Sequence, residues 1–267
     1  MAVADLLWLL ENRPFYRDRA VHMRTTEAEP PAFGSLNEPL PEPLEAYLSA
    51  QGIRLYTHQC DAINACAAGE NVIITTSTAS GKTLAFNIPV FKRMAEREGA
   101  RALFMYPTKA LANDQLASLD RIARFTGIPA HPAIYDGDTP QSKRAAIREH
   151  ARIIITNPYE LHQVLPYHGK WREFLAGLSF IVIDEAHRYR GVFGSHVAFL
   201  VRRLLRLCRH YGASPKIIIS SATLANPAEF ARNLTGCTFT HVDHDGSPRG
   251  RKHVVLYNPF YDGIAHR

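Results

Sequence analysis

From residue 44 onward, short unbroken apolar runs alternate with longer stretches in which apolar positions recur every three or four residues. LEAYLSAQG predicts a helix closed by Gly52, and THQCDAINACAAG a second helix ending at Gly69. NVIITT (71–76) predicts a short buried strand, followed at once by a turn and by a helix, TLAFNIPVFKRMAEREG, that ends at Gly99. The pattern then repeats. Strands are predicted at 101–107, 129–137 (with a turn), 152–158, 180–187 and 216–223. Helices are predicted at 109–127, 139–150, from Tyr159, at 197–212 and at 226–236. Strands that are apolar throughout must be buried on both faces. Their alternation with helices therefore predicts an α/β fold: a doubly wound parallel sheet over 44–236.

The flanks differ in texture. Residues 1–26 mix charged and apolar positions, and MAVADLLWLL reads as a short amphipathic helix or a disordered lead-in. It lacks the basic start and the cleavage site of a signal peptide, and Asp5 interrupts its apolar run. Residues 27–43 are proline-rich and predict an extended linker, so 1–43 forms an N-terminal extension. In 237–267, DHDGSPRGR predicts a loop and HVVLYN (253–258) one more strand. The chain has 267 residues, 46% of them hydrophobic, which excludes a wholly disordered protein. A formal net charge of +6 permits an anionic partner without demanding one. The four cysteines, Cys60, Cys66, Cys208 and Cys237, show no C-x-x-C spacing and read as free thiols of a reducing compartment. No apolar run is long enough to span a membrane, so the expected location is the cytoplasm, in association with the nucleoid.

The first chemical signal is TSTASGKT (76–83), placed between a buried strand and a helix. A loop entering a helix aims several backbone N–H groups at one spot, where the helix dipole adds positive potential. The loop residues Thr78, Ala79 and Ser80 are candidates for cradling phosphates. Gly81 lets the backbone approach, Lys82 supplies a charge for the β and γ phosphates, and Thr83 offers a hydroxyl to Mg²⁺. Thr76 stands where the usual pattern begins with glycine. The second signal is FIVI followed by Asp184-Glu185-Ala186-His187. Carboxylates at the C-terminal end of a buried strand lie on the ligand-binding edge of a parallel sheet. Asp184 can hold Mg²⁺, and Glu185 can orient and deprotonate a water.

Asp-Glu-Ala-His together with Ser221-Ala222-Thr223 resembles the superfamily 2 helicases of the DExH type. YPTKALANDQL, YDGDTP, TNPYELH, DEAHRYRGVFGSHVA and SATLANPAEFARNLTG, in that order, narrow the resemblance to the YprA-like branch. Those are repair-associated helicases with a C-terminal four-cysteine zinc domain. The resemblance runs from about Val21 to Phe260. It implies a RecA-like P-loop NTPase domain that uses ATP and Mg²⁺, with catalytic roles for Lys82, Asp184, Glu185 and His187. Many relatives carry A-x-x-G-x-G-K-T at the phosphate loop, and here Ala79 replaces the middle glycine as well. Gln59 in LYTHQ would read adenine, and Ser221 and Thr223 would couple the two sites. Backbone contacts to nucleic acid would come from Pro107, Thr108 and Lys109, from Gly137, Asp138 and Thr139, and from Thr156, Asn157 and Pro158. Tyr159 stands where an acidic residue is expected. The partner implied is DNA, as a single-stranded tract beside a duplex junction, with RNA as the alternative. The unwinding polarity implied is 3′–5′. Such motors need a second RecA-like domain, and 237–267 is expected to lead into one that this chain lacks.

Several positions carry two readings. Thr108, Thr139 and Asn226 sit where helix caps belong, which is compatible with backbone binding. In RYRGVFGSH (188–196), Tyr189, Arg190 and Phe193 could stack on bases from a glycine-hinged loop and couple them to Glu185, as an aromatic loop does in RecQ helicases. Alternatively, Tyr189 and Phe193 pack beneath the following helix. Arg202, Arg206 and Arg209 share one helical face, which solvation explains. HVDHDG has no standard metal spacing and reads as a loop.

Overall fold

The computed structural model describes residues 3–17 and 19–258. In chain order they form α1 (Val3–Asn12), α2 (Pro14–Arg17), β1 (Ala20–Thr26), α3 (Glu42–Ala50), α4 (Thr57–Ala67) and β2 (Val72–Ile74). These are followed by α5 (Lys82–Glu96), β3 (Arg101–Met105), α6 (Lys109–Thr126), β4 (Ala133–Ile134), α7 (Gln141–His150) and β5 (Ile153–Thr156). Next come α8 (Pro158–Val164), a 3₁₀ segment (Leu165–Trp171), α9 (Arg172–Ala176), β6 (Leu178–Ile183) and a 3₁₀ turn (Ala186–Arg188). The remainder is α10 (Gly191–His210), β7 (Lys216–Ser220), α11 (Pro227–Thr235), β8 (Thr240–Val242) and β9 (Lys252–Tyr257). The chain divides into two compact units, Ala32–Gly246 and Met1–Pro31 with Ser247–Arg267.

The larger unit is a seven-stranded sheet in the order β4-β5-β3-β6-β7-β2-β8, and every pairing is parallel. Successive side chains of a strand point to opposite faces, and the two cores divide on that rule. Val72, Ile74, Ala102, Phe104, Ile153, Ile155, Phe180, Val182 and Ile218 belong to one core, packed by α3, α4, α5 and α6. Ile73, Leu103, Met105, Ile154, Ile181, Ile183, Ile217 and Ile219 belong to the other, packed by α8, α9, α10 and α11. This is the predicted doubly wound sheet. Parallel strands share one C-terminal edge, so the segments leaving β2, β3, β4, β5, β6 and β7 all emerge there.

In the smaller unit, β1 and β9 pair antiparallel with Met23 opposite Val255 and Thr25 opposite His253. The strand predicted near 253–258 is present, but its partner β1 went unpredicted, because AVHMRTT is exposed along almost its whole length and carries no burial pattern. The N-terminal segment is helical, with Leu10 as its buried residue. The strand predicted at 71–76 is shorter, because the loop begins at Thr75. β8, also unpredicted, is a three-residue edge strand beside β2. The segment 188–196 is not a hinged loop. α10 begins at Gly191, so Phe193 and His196 ride on its first turns. Arg202, Arg206 and Arg209 lie on its exposed side.

Candidate functional site

The loop after β2 closes on itself. Thr76, in place of a glycine, bonds its hydroxyl to that of Ser80 at 2.7 Å. Gly81 adopts φ 81°, and a Cβ there would lie 2.7 Å from Gln59 Nε2. Both the left-handed backbone and the close approach require glycine. Lys82, the first residue of α5, folds back so that Nζ donates to the Thr76 and Ser77 carbonyls at 2.8 Å each. Burial pulls the Lys82 pKa below its ordinary value, and the carboxylates of Glu185, Asp184 and Asp245 act against that shift. Thr78 and Ala79 are exposed at the loop tip, Ser80 is buried, and Thr83 is half-buried in the first turn of α5. Gln59 is held by two protein partners. Its Oε1 accepts from the Tyr56 amide at 2.9 Å and its Nε2 donates to the Gly81 carbonyl at 2.8 Å.

Asp184 follows the central strand β6, and its amide donates to the Met105 carbonyl at 3.1 Å. The residue is buried, and its carboxylate accepts from the Glu185 amide at 2.9 Å. Burial pushes its pKa up, while the Ser220 hydroxyl and the Glu185 amide pull it down. Glu185 itself has φ 51°, a left-handed conformation that a non-glycine residue keeps only under constraint. Its Oε2 lies 3.4 Å from His187 Nδ1, which also accepts from the Ala222 amide at 3.3 Å. His187 thus joins the end of β6 to the Ser221-Ala222-Thr223 segment after β7. Ser221 is buried and its hydroxyl has no partner among the described residues, whereas Thr223 is exposed. Two buried phenols, Tyr106 and Tyr189, feel the Asp184 charge, and burial raises both pKa values.

The oxygen donors at this edge fit Mg²⁺. Asp184 contributes a buried carboxylate and Thr83 a hydroxyl, which are hard ligands for an ion that keeps several of its waters. A site with three or more His, Cys, Asp or Glu ligands is absent among the described residues. HVDHDG accordingly is no metal cluster: His241 lies on β8 and bonds the Thr75 hydroxyl at 2.6 Å.

A concavity of about 510 Å³ lies on the same edge. Pro107, Thr108, Lys109, Gly137, Asn157 and Pro158 line it, and Phe193 and His196 of α10 form its other wall. Six of the nine proposed backbone-contact residues therefore converge. Thr156 is buried in β5 beneath the groove. Thr139 spends its hydroxyl inside its own turn, where it accepts from the Asp136 amide at 2.9 Å. Asp138 pairs with Lys109, which raises the lysine's pKa. Asn157 caps α8 by accepting from the Glu160 amide at 2.9 Å. Thr108 and Asn226 occupy cap positions without a side-chain cap bond. Tyr189 is 2% exposed and Phe193 52%, so one packs inside and the other faces the groove. Arg190 faces a separate hollow of about 420 Å³ between α10 and α11.

Sequence reasoning missed Arg144 and Glu160. Arg144 donates to Glu160 Oε1 and to the Asp136 carbonyl at 2.7 Å each, and to the Thr139 carbonyl at 3.1 Å. It ties the 136–139 turn to the start of α8. Glu160, the residue after Tyr159, is buried in this pair. An arginine one helical turn after YDGDTP was the available signal.

Residues 56–230 match the DEAD/DEAH box helicase family. The ATP-dependent helicase YprA of Bacillus subtilis is 50% identical over 224 residues, covering 83% of this chain and 30% of its own length. The ATP-dependent helicase HRQ1 of Saccharomyces cerevisiae is 39% identical over 265 residues, 96% of this chain and 24% of its own. The crystal structure of the DUF1998 helicase MrfA bound to DNA and AMPPNP superposes with a TM-score of 0.94 at 43% identity, covering 100% of this chain and 37% of that one. The chain therefore spans about a quarter to two fifths of the length of these three relatives. Because the match opens at Tyr56, beside Gln59, and runs on past Ser221-Ala222-Thr223, the chain belongs to the DEAD/DEAH box helicase family.

Proposed function

We propose that this chain is the ATP-binding motor domain of a DNA-dependent ATPase and helicase, with 3′–5′ polarity and a role in DNA repair or maintenance. The observation that carries this reading is one shared edge. It holds the Lys82 loop, the Asp184-Glu185 pair and a groove lined by strand-end loops and Phe193. In this proposal the loop amides of Thr78–Thr83 and Lys82 bind the ATP phosphates. Thr83 and Asp184 hold Mg²⁺, which when bound offsets charge on the phosphate oxygens. Glu185 orients the attacking water and accepts its proton. His187, by accepting from the Ala222 amide, ties the segment that carries Glu185 to Ser221 and Thr223. Gln59 bears on the loop through Gly81, with one amide hydrogen left for a base.

The groove suits the backbone of a single strand. Small hydroxyls, helix N-termini and Lys109 contact phosphate without reading bases, and Phe193 offers a stacking face. The solved relative MrfA is described as bound to DNA, which favours DNA over RNA here. A second RecA-like domain would supply the facing half of the nucleotide cleft. Among the described residues no helix is long and apolar enough to cross a membrane, in keeping with the cytoplasmic, nucleoid-associated site we propose. The test is Lys82→Ala, read by titration with a ribose-labelled ATP analogue and Mg²⁺. Binding should weaken at least about tenfold, the effect of losing one strong charge-assisted contact. Unchanged affinity in a folded variant would refute the phosphate-loop assignment.

A further inference from the structure

The phosphate loop carries one strained residue. Ala79 sits at φ 67°, in the left-handed region where a side chain is strained. Such a conformation persists only where the surroundings over-determine it. Beside the Thr76–Ser80 and Lys82 bonds within the loop and the Gln59 bond to Gly81, two further groups outside it brace the loop on either side of Ala79. His58, in the first turn of α4, is fully buried, and its Nε2 lies 3.0 Å from the Ser80 carbonyl. The Gly246 amide donates to the other ring nitrogen, Nδ1, at 3.2 Å. A nitrogen that accepts leaves the proton on Nε2, so His58 donates to Ser80. Burial holds the ring's pKa down, which keeps this neutral form. On the other side, Asp245 accepts from the Ser77 amide at 3.2 Å and from the Ser77 hydroxyl. Its second oxygen lies 3.8 Å from His58 Nδ1.

The segment that carries these groups has no slack. A Cβ on Gly246 would lie 2.3 Å from the Thr57 hydroxyl and 2.6 Å from the Ala32 carbonyl. The Ala32 amide donates to the Gly246 carbonyl at 2.9 Å, and the Thr57 amide donates to the Ala32 carbonyl at 3.0 Å. Residues 245–246 are therefore pinned to the start of α4, and through Asp245 and His58 they pin Ser77 and Ser80.

We propose that His58 and Asp245 are positioning residues that together hold the phosphate loop in its binding shape and compensate for the alanine at position 79. Neither touches the nucleotide in this scheme. The proposal rests on the phosphate-loop assignment above.

The test is a double-mutant cycle on the full chain, read by Mg²⁺-dependent binding of a ribose-labelled ATP analogue. Asp245→Ala and His58→Leu should each weaken binding about tenfold, while affinity for a labelled single strand stays within about twofold. In an Ala79→Gly background the same substitutions should cost clearly less, because glycine adopts the left-handed backbone without strain. A purely structural role would lower nucleotide and strand affinity together and would be indifferent to residue 79. If either variant fails to fold, Asp245→Asn and His58→Gln keep the packing. The glutamine amide can still donate to Ser80, so it should recover most of the affinity. Equal losses in the two backgrounds, or no loss at all, would overturn the proposal alone. Failure of the unsubstituted chain to bind the analogue would overturn the phosphate-loop assignment and the proposal with it.

Discussion

Phe193 faces the groove at 52% exposure, beside the enclosed Tyr189 with ring centroids 5.8 Å apart. Removing its ring by Phe193→Ala separates two roles that the sequence left open. A fully enclosed phenylalanine buries about 150–250 Å², and here about half of that is already in water. At about 25 cal/mol per Å² the stability lost is about 2–3 kcal/mol at most, since alanine keeps the Cβ, against about 3–5 kcal/mol for a core phenylalanine. For a chain of this size that is a shift in Tm of at most about 10 °C. If the ring stacks on a base, the loss in strand affinity is about 1–3 kcal/mol, or about five- to 150-fold in Kd. The assay is fluorescence anisotropy of a labelled single strand titrated with the chain, repeated over a salt series beside a thermal melt. Phe193 is uncharged, so its loss should leave the slope of log K against log salt unchanged. Lys109→Ala should reduce that slope by about one phosphate contact. A Kd within twofold of the unsubstituted chain, combined with a core-sized fall in Tm, would refute the stacking role.

Three further outcomes are expected. Glu185→Gln should keep Mg²⁺-dependent nucleotide binding and reduce hydrolysis by the complete helicase at least about 100-fold, because an amide cannot accept the proton; parallel binding and phosphate-release assays check this. Asp184→Asn should raise Tm at pH 7 while weakening Mg²⁺-dependent nucleotide binding. Burial raises the Asp184 pKa, so its ionised form opposes folding at neutral pH, and the gain should vanish below about pH 4, where the unfolded group is also protonated. His58 has the opposite sign. Its folded pKa is depressed, so stability present above about pH 6.5 is lost as pH falls toward the folded value, at no more than about 1.4 kcal/mol per pH unit. Paired melts of the chain and its His58→Gln variant should converge toward acid pH, and parallel curves would show that His58 does not titrate there.

The layered sheet, its parallel direction and the two chemical motifs were legible in the amino-acid sequence alone. Each depends on neighbours a few residues apart: an apolar run that must be buried, a helix start, a Gly81-Lys82-Thr83 turn, a carboxylate pair at a strand end. The expectation of a mobile loop at 188–196 failed for a local reason too. The three- and four-residue spacing of Phe193, His196 and Leu200 continues the α10 pattern backward through two glycines, and burial of Tyr189 and Val197 outweighs the glycines' entropic cost. Other features belong to the tertiary structure. Val72 and Ile74 face one core and Ile73 the other only because β2 is covered on both sides. β1 and β9 find each other across more than two hundred residues, with no burial pattern to announce it. Arg144 reaches Glu160, and His58 reaches Gly246, because the sheet brings their helices and loops to one edge. The groups proposed to meet a phosphate are consecutive, so the sequence alone could name them. The groups that hold them in place are 22 and 168 residues away from their partners. Contacts at such separations are decided by packing, which no local pattern records.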